Sequence, residues 1–221
     1  MRRCATPTYI RRMNQAWLRV MALLYDPFLW LGEVAGMRRR RRELVARASG
    51  RVLEIGAGTG LNLPSYPATV DELILAEPEP GMRGRLARRS QRLGRVAEII
   101  EAPAERLPLP DASVDTVVST LVLCTVADPE RALREIARVL APGGQLLFIE
   151  HVRARSRWLA GWQNLLVRPW RAFAGGCVCN RDTLGAMAAC GLTPEVEHAT
   201  WRGMPPIVGP LVIGRADAPL R

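Results

Sequence analysis

The sequence predicts an α/β fold in which helices cover both faces of a doubly wound, mostly parallel sheet. Short apolar runs alternate with helix-forming runs across the middle of the chain, and this order is typical of parallel sheets. A glycine-rich turn ends the first apolar run, and an acidic residue ends the second. The 221 residues suffice for one domain with a full core. We expect seven strands, with an antiparallel edge at the C-terminal side of the sheet.

Four segments make up this domain. We expect an N-terminal helical cap over residues 1–49 and a cofactor-binding core over residues 50–150. An insert on the substrate side follows over residues 151–179, and a final helix and two strands occupy residues 180–221. Within the cap, residues 1–11 form a frayed basic tail.

The cap predicts two helices. The first covers residues 16–24, and Asp26-Pro27 favours a second, because Asp is a good N-cap and Pro suits the first helical position. This second helix contains the run Arg38 to Arg42. Since consecutive positions point in all directions around a helix, some of these arginines must face protein and others solvent. The run is either a solvated flank or a contact with a membrane surface or an anionic substrate.

The most apolar stretch of the chain lies between residues 17 and 36. It contains Arg19, Asp26, Pro27 and Glu33, whereas a spanning helix needs about 20 apolar residues in succession. We therefore expect neither a signal peptide nor a spanning helix. The expected location is the cytoplasm, and an amphipathic contact with an anionic membrane surface remains an alternative.

The glycine-rich turn follows a first strand over residues 51–55. Gly56, Gly58 and Gly60 stand at alternate positions, where a Cβ would block positive φ angles and the close approach of a ligand. Glu77 ends the second apolar run, about 20 residues later. This is the arrangement of a nucleoside-binding Rossmann half, in which the carboxylate accepts hydrogen bonds from ribose hydroxyl groups.

Apolar runs and helix caps predict the remaining elements of the core. Strands are expected over residues 72–76, 96–100, 114–119 and 145–150, and helices begin after Pro80-Gly81 and at Asp128. A proline-rich loop over residues 102–111 has no regular structure. The tight turn Pro142-Gly143-Gly144 leads into the fifth strand.

The insert interrupts this alternation. It holds Trp158, Trp162 and Trp170 together with several arginines, and a long connection with its own aromatic content is usually functional. Trp162 and Trp170 are therefore candidates for an acceptor pocket, with a small satellite core as the alternative. A last helix begins at residues 180–183, and strands are expected near residues 195–199 and 207–213.

The charge balance is strongly basic. The formal net charge is +10, and every basic side chain other than histidine is arginine. Without lysine, Schiff-base and lysine-nucleophile chemistry is excluded. The charge indicates either an anionic partner, such as acidic lipid headgroups, nucleic acid or an anionic substrate, or arginines on solvated faces. The spread of the arginines over several segments favours solvated faces. Nucleic acid is not an expected partner, because aromatic residues are few.

The five cysteines do not predict a metal site. Cys177 and Cys179 stand two apart without a C-x-x-C pair, and the two histidines are distant from them in sequence. We expect no structural zinc and interpret the cysteines as free thiols in a reducing compartment. Cys177 and Cys179 are interpreted as buried small residues, with a redox or acceptor role as the alternative.

Several motifs agree in order and spacing over residues 51–150. The segment Glu54-Ile55-Gly56-Ala57-Gly58-Thr59-Gly60 has the pattern E-x-G-x-G-x-G, and Glu77 follows at the end of the second strand. The loop Ala104-Glu105-Arg106-Leu107-Pro108-Leu109 and the turn Ala141-Pro142-Gly143-Gly144 complete the set. Together they resemble the class I S-adenosylmethionine (SAM) methyltransferases, especially the branch of the menaquinone and ubiquinone C-methyltransferases.

Flanking segments carry a closer resemblance. These are Thr120-Leu121-Val122-Leu123-Cys124, Glu150-His151-Val152, the tryptophan-rich insert, Gly176-Cys177 and Asn180-Arg181-Asp182-Thr183. They are similar to the methyltransferase-like 7 (thiol methyltransferase) family and its small bacterial relatives, over about residues 24 to 190. The resemblance implies SAM as methyl donor and a small, apolar acceptor. A thiol is favoured, and a phenol, a quinone or a lipid amine follows.

The resemblance also implies where the cofactor binds. The residues expected to contact SAM are Gly56, Gly58, Gly60, Glu77, Ala104, Glu105, Thr120 and Leu121, and Glu54 is expected to organise the turn beneath the methionine amine. Ala104 and Glu105 would lie near the adenine amino group, and Glu77 would bind the ribose. No metal is expected.

His151 is the candidate catalytic base. It follows the fifth strand, at the edge of the sheet where α/β proteins bind ligands, and an imidazole can take a proton from a thiol or hydroxyl group near neutral pH. The alternative is a histidine that only forms hydrogen bonds with the insert. Tyr25 is a candidate for covering the active site from the cap, and ordinary core packing is its alternative.

Two other functions compete with methyl transfer. A nicotinamide dehydrogenase is disfavoured, because the dinucleotide fingerprint needs a glycine where this chain has Leu61. A non-catalytic basic module that senses SAM or binds a membrane or RNA is the second rival, and its anion binding would weaken steeply with salt. The oligomeric state does not follow from the sequence.

Overall fold

A computed structural model of the chain describes residues 15–218. The basic tail expected over residues 1–11 lies outside the described residues. The described residues form seven strands in one sheet: β1 (Gly50–Ile55), β2 (Val70–Ala76), β3 (Glu98–Ile100), β4 (Val114–Thr120), β5 (Leu140–His151), β6 (Thr193–Thr200) and β7 (Pro210–Asp217).

The strand order is β3-β2-β1-β4-β5-β7-β6. Strands β1 to β5 pair in parallel, and β7 is antiparallel to both of its neighbours, β5 and β6. The prediction of a mostly parallel, seven-stranded sheet with antiparallel pairing at its C-terminal edge is confirmed. The chain moves outward from β1 through β2 to β3 and then returns to β4, so the switch point lies between β1 and β4.

Helices cover the two faces of the sheet. They are α1 (Gln15–Gly32), α2 (Arg38–Val45), α3 (Pro80–Leu93), α4 (Pro129–Val139), α5 (Arg157–Phe173) and α6 (Thr183–Ala189), with a π-helical turn Glu33–Met37 and short 3-10 turns at Leu63–Ser65 and Pro206–Val208. Leu53 and Ile55 of β1 pack beneath α4 and α6, whereas Val52 packs beneath α2 and α3. This alternation of side chains makes the sheet doubly wound.

The helix boundary expected at Asp26-Pro27 is wrong. Helix α1 continues through Pro27, which is exposed, so water can satisfy the carbonyl group that its ring leaves free. The Asp26 carboxylate does not cap a helix: it accepts hydrogen bonds from Thr59 Oγ1 at 2.5 Å and from Arg89 Nη2 at 2.6 Å. The chain bends later, at Gly36, where φ is +129°.

Three smaller differences concern the starts of two strands and the structure of the insert. Strand β3 starts two residues later than expected, because Val96 is 93% exposed and pairing with β2 begins at Glu98. Strand β7 starts at Pro210, since a 3-10 turn occupies Pro206–Val208. The insert, expected as a long connection, is mostly the helix α5.

Candidate functional site

A cavity of about 250 Å³ lies over the carboxyl ends of β1, β2, β4 and β5, at the switch point of the sheet. Seven of the nine residues expected at a cofactor line it: Gly56, Gly58, Glu77, Ala104, Glu105, Thr120 and Leu121. Residues of α1 and α5 and the buried side chains after β4 and β5 form the rest of its wall. These include Tyr25, Phe28, Cys124, His151, Trp170, Cys177 and Trp201.

The glycine turn after β1 lines the cavity at two of its three glycines, Gly56 and Gly58. Gly56 has φ +55°, and a Cβ there would lie 2.7 Å from Val122 Cγ2. At Gly58, φ +57°, the nearest atom to such a Cβ would be a backbone oxygen at 3.9 Å, so the space above it is open. Gly60 does not line the cavity, because Leu63 and Leu86 fill the space beside it. Gly60 therefore closes the turn from below.

Glu77 holds this turn from the end of β2. Its Oε2 accepts a hydrogen bond from the Gly58 amide at 2.8 Å, and its Oε1 accepts one from the Glu79 amide at 2.9 Å. Burial raises the pKa of the Glu77 carboxyl to about 7, although both amide bonds oppose the shift. Each oxygen retains acceptor capacity toward the cavity, as the pairing with ribose hydroxyl groups requires.

Glu54 lies beneath the turn and does not line the cavity. Its two oxygens accept hydrogen bonds from Asn62 Nδ2 at 2.9 Å and from the Tyr66 hydroxyl at 2.6 Å. Burial raises the pKa of Glu54 to about 7. Asn62 Nδ2 also donates to Thr120 Oγ1 at 3.0 Å, so Glu54 reaches the cavity wall only through other side chains. This placement matches an organising role beneath the turn and no direct contact with a ligand.

The buried Arg41 joins the same network, and the sequence did not single it out from its four neighbours. Its Nε bonds Glu33 Oε1 at 2.9 Å, and its Nη1 donates to Thr120 Oγ1 at 2.9 Å. The exposed fractions of the two ion-paired side chains are 5% and 7%. The run therefore contains one buried arginine, whereas Arg38, Arg39 and Arg42 are exposed and the half-buried Arg40 donates to the Thr200 carbonyl at 2.7 Å.

The Glu105 carboxylate accepts hydrogen bonds from backbone amides. Its Oε1 accepts hydrogen bonds from the Ala127 amide at 2.8 Å and from the Asp128 amide at 3.4 Å, which connects the proline-rich loop to the start of α4. Ala104 beside it is buried in the cavity wall. Leu121 has φ +62°, because the chain turns sharply at the end of β4. The backbone at these positions faces the cavity, and contact with adenine stays a prediction.

Three side chains that are distant in sequence meet at the β5 side of the cavity. The ligand atoms of Cys124, His151 and Cys177 all lie within 4.8 Å of one another, and the two sulfurs are 3.7 Å apart. The pKa of Cys177 is lowered, chiefly by its hydrogen bond with Cys124. The sequence did not predict this group, because no motif connects the three residues and only the strand order brings them together.

His151 is 4% exposed, and its ring stacks on Trp201 with a centroid distance of 5.6 Å. Burial lowers the pKa of the imidazole to about 4. A base with such a pKa is mismatched to proton abstraction from a thiol near neutral pH. His151 lines the cavity as expected. Its role as general base stays a prediction, and the low pKa counts against it.

The two tryptophans proposed for an acceptor pocket lie in different places. Trp170 lines the cavity, whereas Trp162 is 42% exposed and packs edge-on against Trp158 on the outside of α5. Eight positions along a helix correspond to a rotation of about 80°, which carries Trp162 off the inward face. Gln163 occupies that face instead, and its amide bonds the backbone of Val152, Ala154, Cys179 and Ile207. The assignment of Trp162 to the pocket is corrected.

Known proteins resemble this chain in sequence. Residues 53–148 match the family model described as "Methyltransferase domain". The human thiol S-methyltransferase TMT1B is 35% identical over 196 residues, which cover 81% of this chain and 79% of that protein. Human TMT1A is 36% identical over 175 residues, 73% of this chain and 71% of its own. A phosphatidylethanolamine N-methyltransferase from Cereibacter sphaeroides is 36% identical over 132 residues, 59% of this chain and 65% of its own.

Solved structures share the fold at lower identity. A SAM-dependent methyltransferase from Thermotoga maritima, described as a possible histamine N-methyltransferase, superposes with a TM-score of 0.68 at 22% identity and covers 92% of this chain and 99% of its own. The N-methyltransferase NodS from Bradyrhizobium japonicum WM9, in complex with S-adenosyl-L-homocysteine, gives 0.63 at 19% identity, with 83% and 86% covered. Both likenesses concern the architecture.

Proposed function

This chain belongs to the SAM-dependent methyltransferases that include the thiol S-methyltransferases, and from that premise we propose that its acceptor is a small apolar thiol. The enzyme class and the cofactor follow from family membership. The acceptor is inferred from two supports: the names of its relatives and the chemistry of the cavity. The observation that carries the proposal is the group of Cys124, His151 and Cys177 in the cavity wall.

The cavity suits SAM in its own residues. The open space above Gly58 admits a ligand against the backbone, and Glu77 presents acceptor oxygens beside it. When bound, SAM supplies an activated methyl group on a sulfonium. The Leu121 and Ala104 backbone borders this space, and the walls of α1 and α5 exclude water from the reacting atoms.

The β5 side of the cavity favours a neutral acceptor over a cationic one. The carboxylates that line the cavity are Glu77 and Glu79, which follow β2, and Glu105, which bonds the Ala127 and Asp128 amides. An amine arriving as a cation near Cys124 and Trp170 would lose its hydration, and the buried Glu150 carboxyl behind Cys124 already accepts hydrogen bonds from Ser119, Val122 and Leu123. A thiol carries no charge and is a weak hydrogen-bond donor, so its transfer into this wall costs little.

A matched acceptor series tests the proposal. Thiophenol, phenol and aniline share one ring and differ in the acceptor atom, so shape is constant. We expect methylated product only from thiophenol, detected by mass spectrometry together with stoichiometric S-adenosylhomocysteine. Glu77→Ala serves as the cofactor-site control and should abolish product. Comparable methylation of phenol or aniline would remove the preference for sulfur.

We also propose that the enzyme is cytoplasmic and contacts anionic membranes through α1 and α5. The two helices meet where Phe28 and Phe173 pack edge-on at 5.6 Å. They expose an apolar surface, here called the α1–α5 surface: Leu23, Leu24, Trp30, Leu31, Val34, Trp158, Trp162, Leu165 and Phe173. Arginines at positions 38, 39, 42, 155, 157 and 168, in or near these helices in sequence, are exposed, and such residues suit an anionic lipid surface.

Among the residues that the structure describes, one helical stretch, Val20–Val45, is long and apolar enough to cross a membrane by length and composition alone, and 28% of its apolar window is buried. Asp26 and Arg41 of this stretch bond residues of the core, so in the described structure it lies along the domain. The expectation of an interfacial element therefore remains the proposal, with acceptor entry between α1 and α5.

Vesicle sedimentation tests this contact. Vesicles of neutral lipid and vesicles with added phosphatidylglycerol are compared at low and high salt. We expect binding to the anionic vesicles only, weakened by salt, and lost in the double variant Leu23→Glu/Trp30→Glu. Leu93→Glu, which changes a leucine of α3 that is 48% exposed, is the matched control and should still bind. Equal binding by both variants would refute the assignment of the surface.

A further inference from the structure

The cluster of Cys124, His151 and Cys177 has the composition of a metal site. The exposed fractions of the three side chains are 0%, 4% and 6%. They come from the turn after β4, the end of β5 and the segment after α5, so only the fold assembles them. Two thiols and an imidazole are the ligands that zinc prefers, and Cys₂His is a known ligand set of catalytic zinc sites.

The spacing of the sulfurs fits one ion. Two sulfurs bound to zinc at about 2.3 Å and at a tetrahedral angle lie about 3.8 Å apart. The observed distance between Cys124 Sγ and Cys177 Sγ is 3.7 Å. Neither loop has to move to bring both sulfurs to the ion. The two loops are already joined, since the Val178 amide donates to the Cys124 carbonyl at 2.8 Å.

The imidazole offers the third ligand atom. His151 Nδ1 is buried without a hydrogen-bond partner among the described residues, which is unusual for a buried polar atom. The stacking on Trp201 fixes the plane of the ring. The His151 carbonyl accepts a hydrogen bond from Thr183 Oγ1 at 3.2 Å, which ties the end of β5 to α6. Such supporting contacts orient metal ligands.

We propose that Cys124, His151 and Cys177 bind one zinc ion and leave its fourth position open to the cavity. All three residues line that cavity, so the remaining tetrahedral position faces the acceptor. Two thiolates neutralise the charge of the ion, which allows burial in an apolar wall. Arg181 braces the loop that carries Cys124 by donating to the Leu123 carbonyl at 2.6 Å and the Val126 carbonyl at 2.7 Å.

The ion would activate the acceptor, and this role rests on the proposed thiol function. The acceptor R–SH releases its proton to solvent as its sulfur takes the fourth zinc position, since a coordinated thiol is deprotonated. A sulfur lone pair then forms the new S–CH₃ bond while the C–S bond to the donor sulfonium breaks. That electron pair stays on the donor sulfur, which becomes the thioether of S-adenosylhomocysteine.

Cobalt substitution tests the site without relying on activity. The full chain is stripped with a chelator and titrated with Co²⁺, whose thiolate charge-transfer and tetrahedral d–d absorptions report the ligands. We expect one equivalent in the wild type, competed by Zn²⁺, and an affinity at least tenfold weaker in Cys124→Ser and Cys177→Ser. Cys179→Ser is the matched control, because Cys179 is buried in the same cluster and does not line the cavity.

Several outcomes separate this inference from the proposed function. Absence of the cobalt absorptions in the wild type, or their equal loss in Cys179→Ser, would overturn the metal site. X-ray absorption of the zinc-loaded wild type should show two sulfur ligands, which keeps the test valid if a serine variant does not fold. Full thiol methylation after removal of zinc would refute activation while leaving the thiol function intact. Cobalt binding without methylation of any thiol would support the metal site and contradict the thiol function.

Discussion

Arg41 in the second helix donates a hydrogen bond from Nη1 to Thr120 Oγ1 at the end of β4, across 79 residues and over 2.9 Å. The same guanidinium is ion-paired with Glu33 at 2.9 Å in the interior. Thr120 lines the cavity, so this one side chain connects the cap to the cofactor wall. Arg39, two positions earlier, only pairs with Glu43 in solvent.

Removal of Arg41 is therefore expected to destabilise the domain. Arg41→Met leaves Glu33 as an unpaired buried charge, and such losses cost about 3–5 kcal/mol in the free energy of unfolding. Arg39→Met, the control within the same run, should leave the urea midpoint unchanged, because exposed pairs contribute little. A double variant, Glu33→Leu/Arg41→Met, should regain part of the loss. Equal midpoints for the two single variants would contradict this account.

Cofactor affinity should depend on pH through Glu77. Its pKa of about 7 lies above the usual value, so burial disfavours the ionised form, and ionisation is completed only above pH 7. If the carboxylate binds the ribose, calorimetry should show the dissociation constant of S-adenosylhomocysteine falling by up to about tenfold from pH 6 to pH 8.

The control for this pH effect is Glu77→Gln. Its affinity should be weaker than that of the wild type at pH 8 and should lack most of the slope. Glu98→Gln changes an exposed carboxyl on β3 and should keep the wild-type profile. Any slope shared by all three proteins belongs to other groups, such as Glu54, whose pKa is also about 7. An unchanged slope in Glu77→Gln would exclude this role.

The glycine turn gives a prediction that separates backbone strain from crowding. Gly56 and Gly143 both have positive φ, +55° and +77°. An alanine Cβ would meet Val122 at 2.7 Å at the first position and nothing within 4 Å at the second. Both substitutions cost about 1 kcal/mol or more through the backbone, but only Gly56→Ala should abolish S-adenosylhomocysteine binding. Thermal shift with and without this ligand makes the comparison, and ligand-induced stabilisation in Gly56→Ala would contradict it.

Trp170 and Trp162 predict a contrast within one helix. Trp170→Ala removes a wall of the cavity and should lower kcat/KM for thiophenol by more than tenfold, with little change in cofactor affinity. Trp162→Ala removes an exposed ring and should leave turnover in solution unchanged. Steady-state kinetics in the absence of lipid provides the measurement. A larger loss in Trp162→Ala would mean that the acceptor binds elsewhere.

The parts of the fold that follow from local patterns were predictable from the sequence. Strand, glycine turn and acid are contiguous signals, and the parallel core with Gly56, Gly58 and Glu77 at one edge is confirmed in outline. Asp26 shows the limit of this reasoning. It has the local signature of a helix cap, but its partners Thr59 and Arg89 are 33 and 63 residues away and outcompete the local role.

The candidate site was less predictable for the same reason. Cys124, His151 and Cys177 share no motif, and only the order of strands brings their ligand atoms together. The sequence did not distinguish Trp162 from Trp170, since the position of each residue around helix α5 decides which ring faces inward. Sequence patterns indicate contacts between residues that are close along the chain, whereas this wall of the cavity consists of residues that are distant in sequence.

Asp26 and Arg41 are two of the polar side chains that fasten the cap to the core. Each one ends on a residue outside the cap: Thr59 and Arg89 for the first, Thr120 for the second. An engineer who grafts a foreign cap to obtain a new acceptor must therefore transplant its docking partners with it. A foreign cap without Asp26 and Arg41 would leave Thr59, Arg89 and Thr120 without these partners.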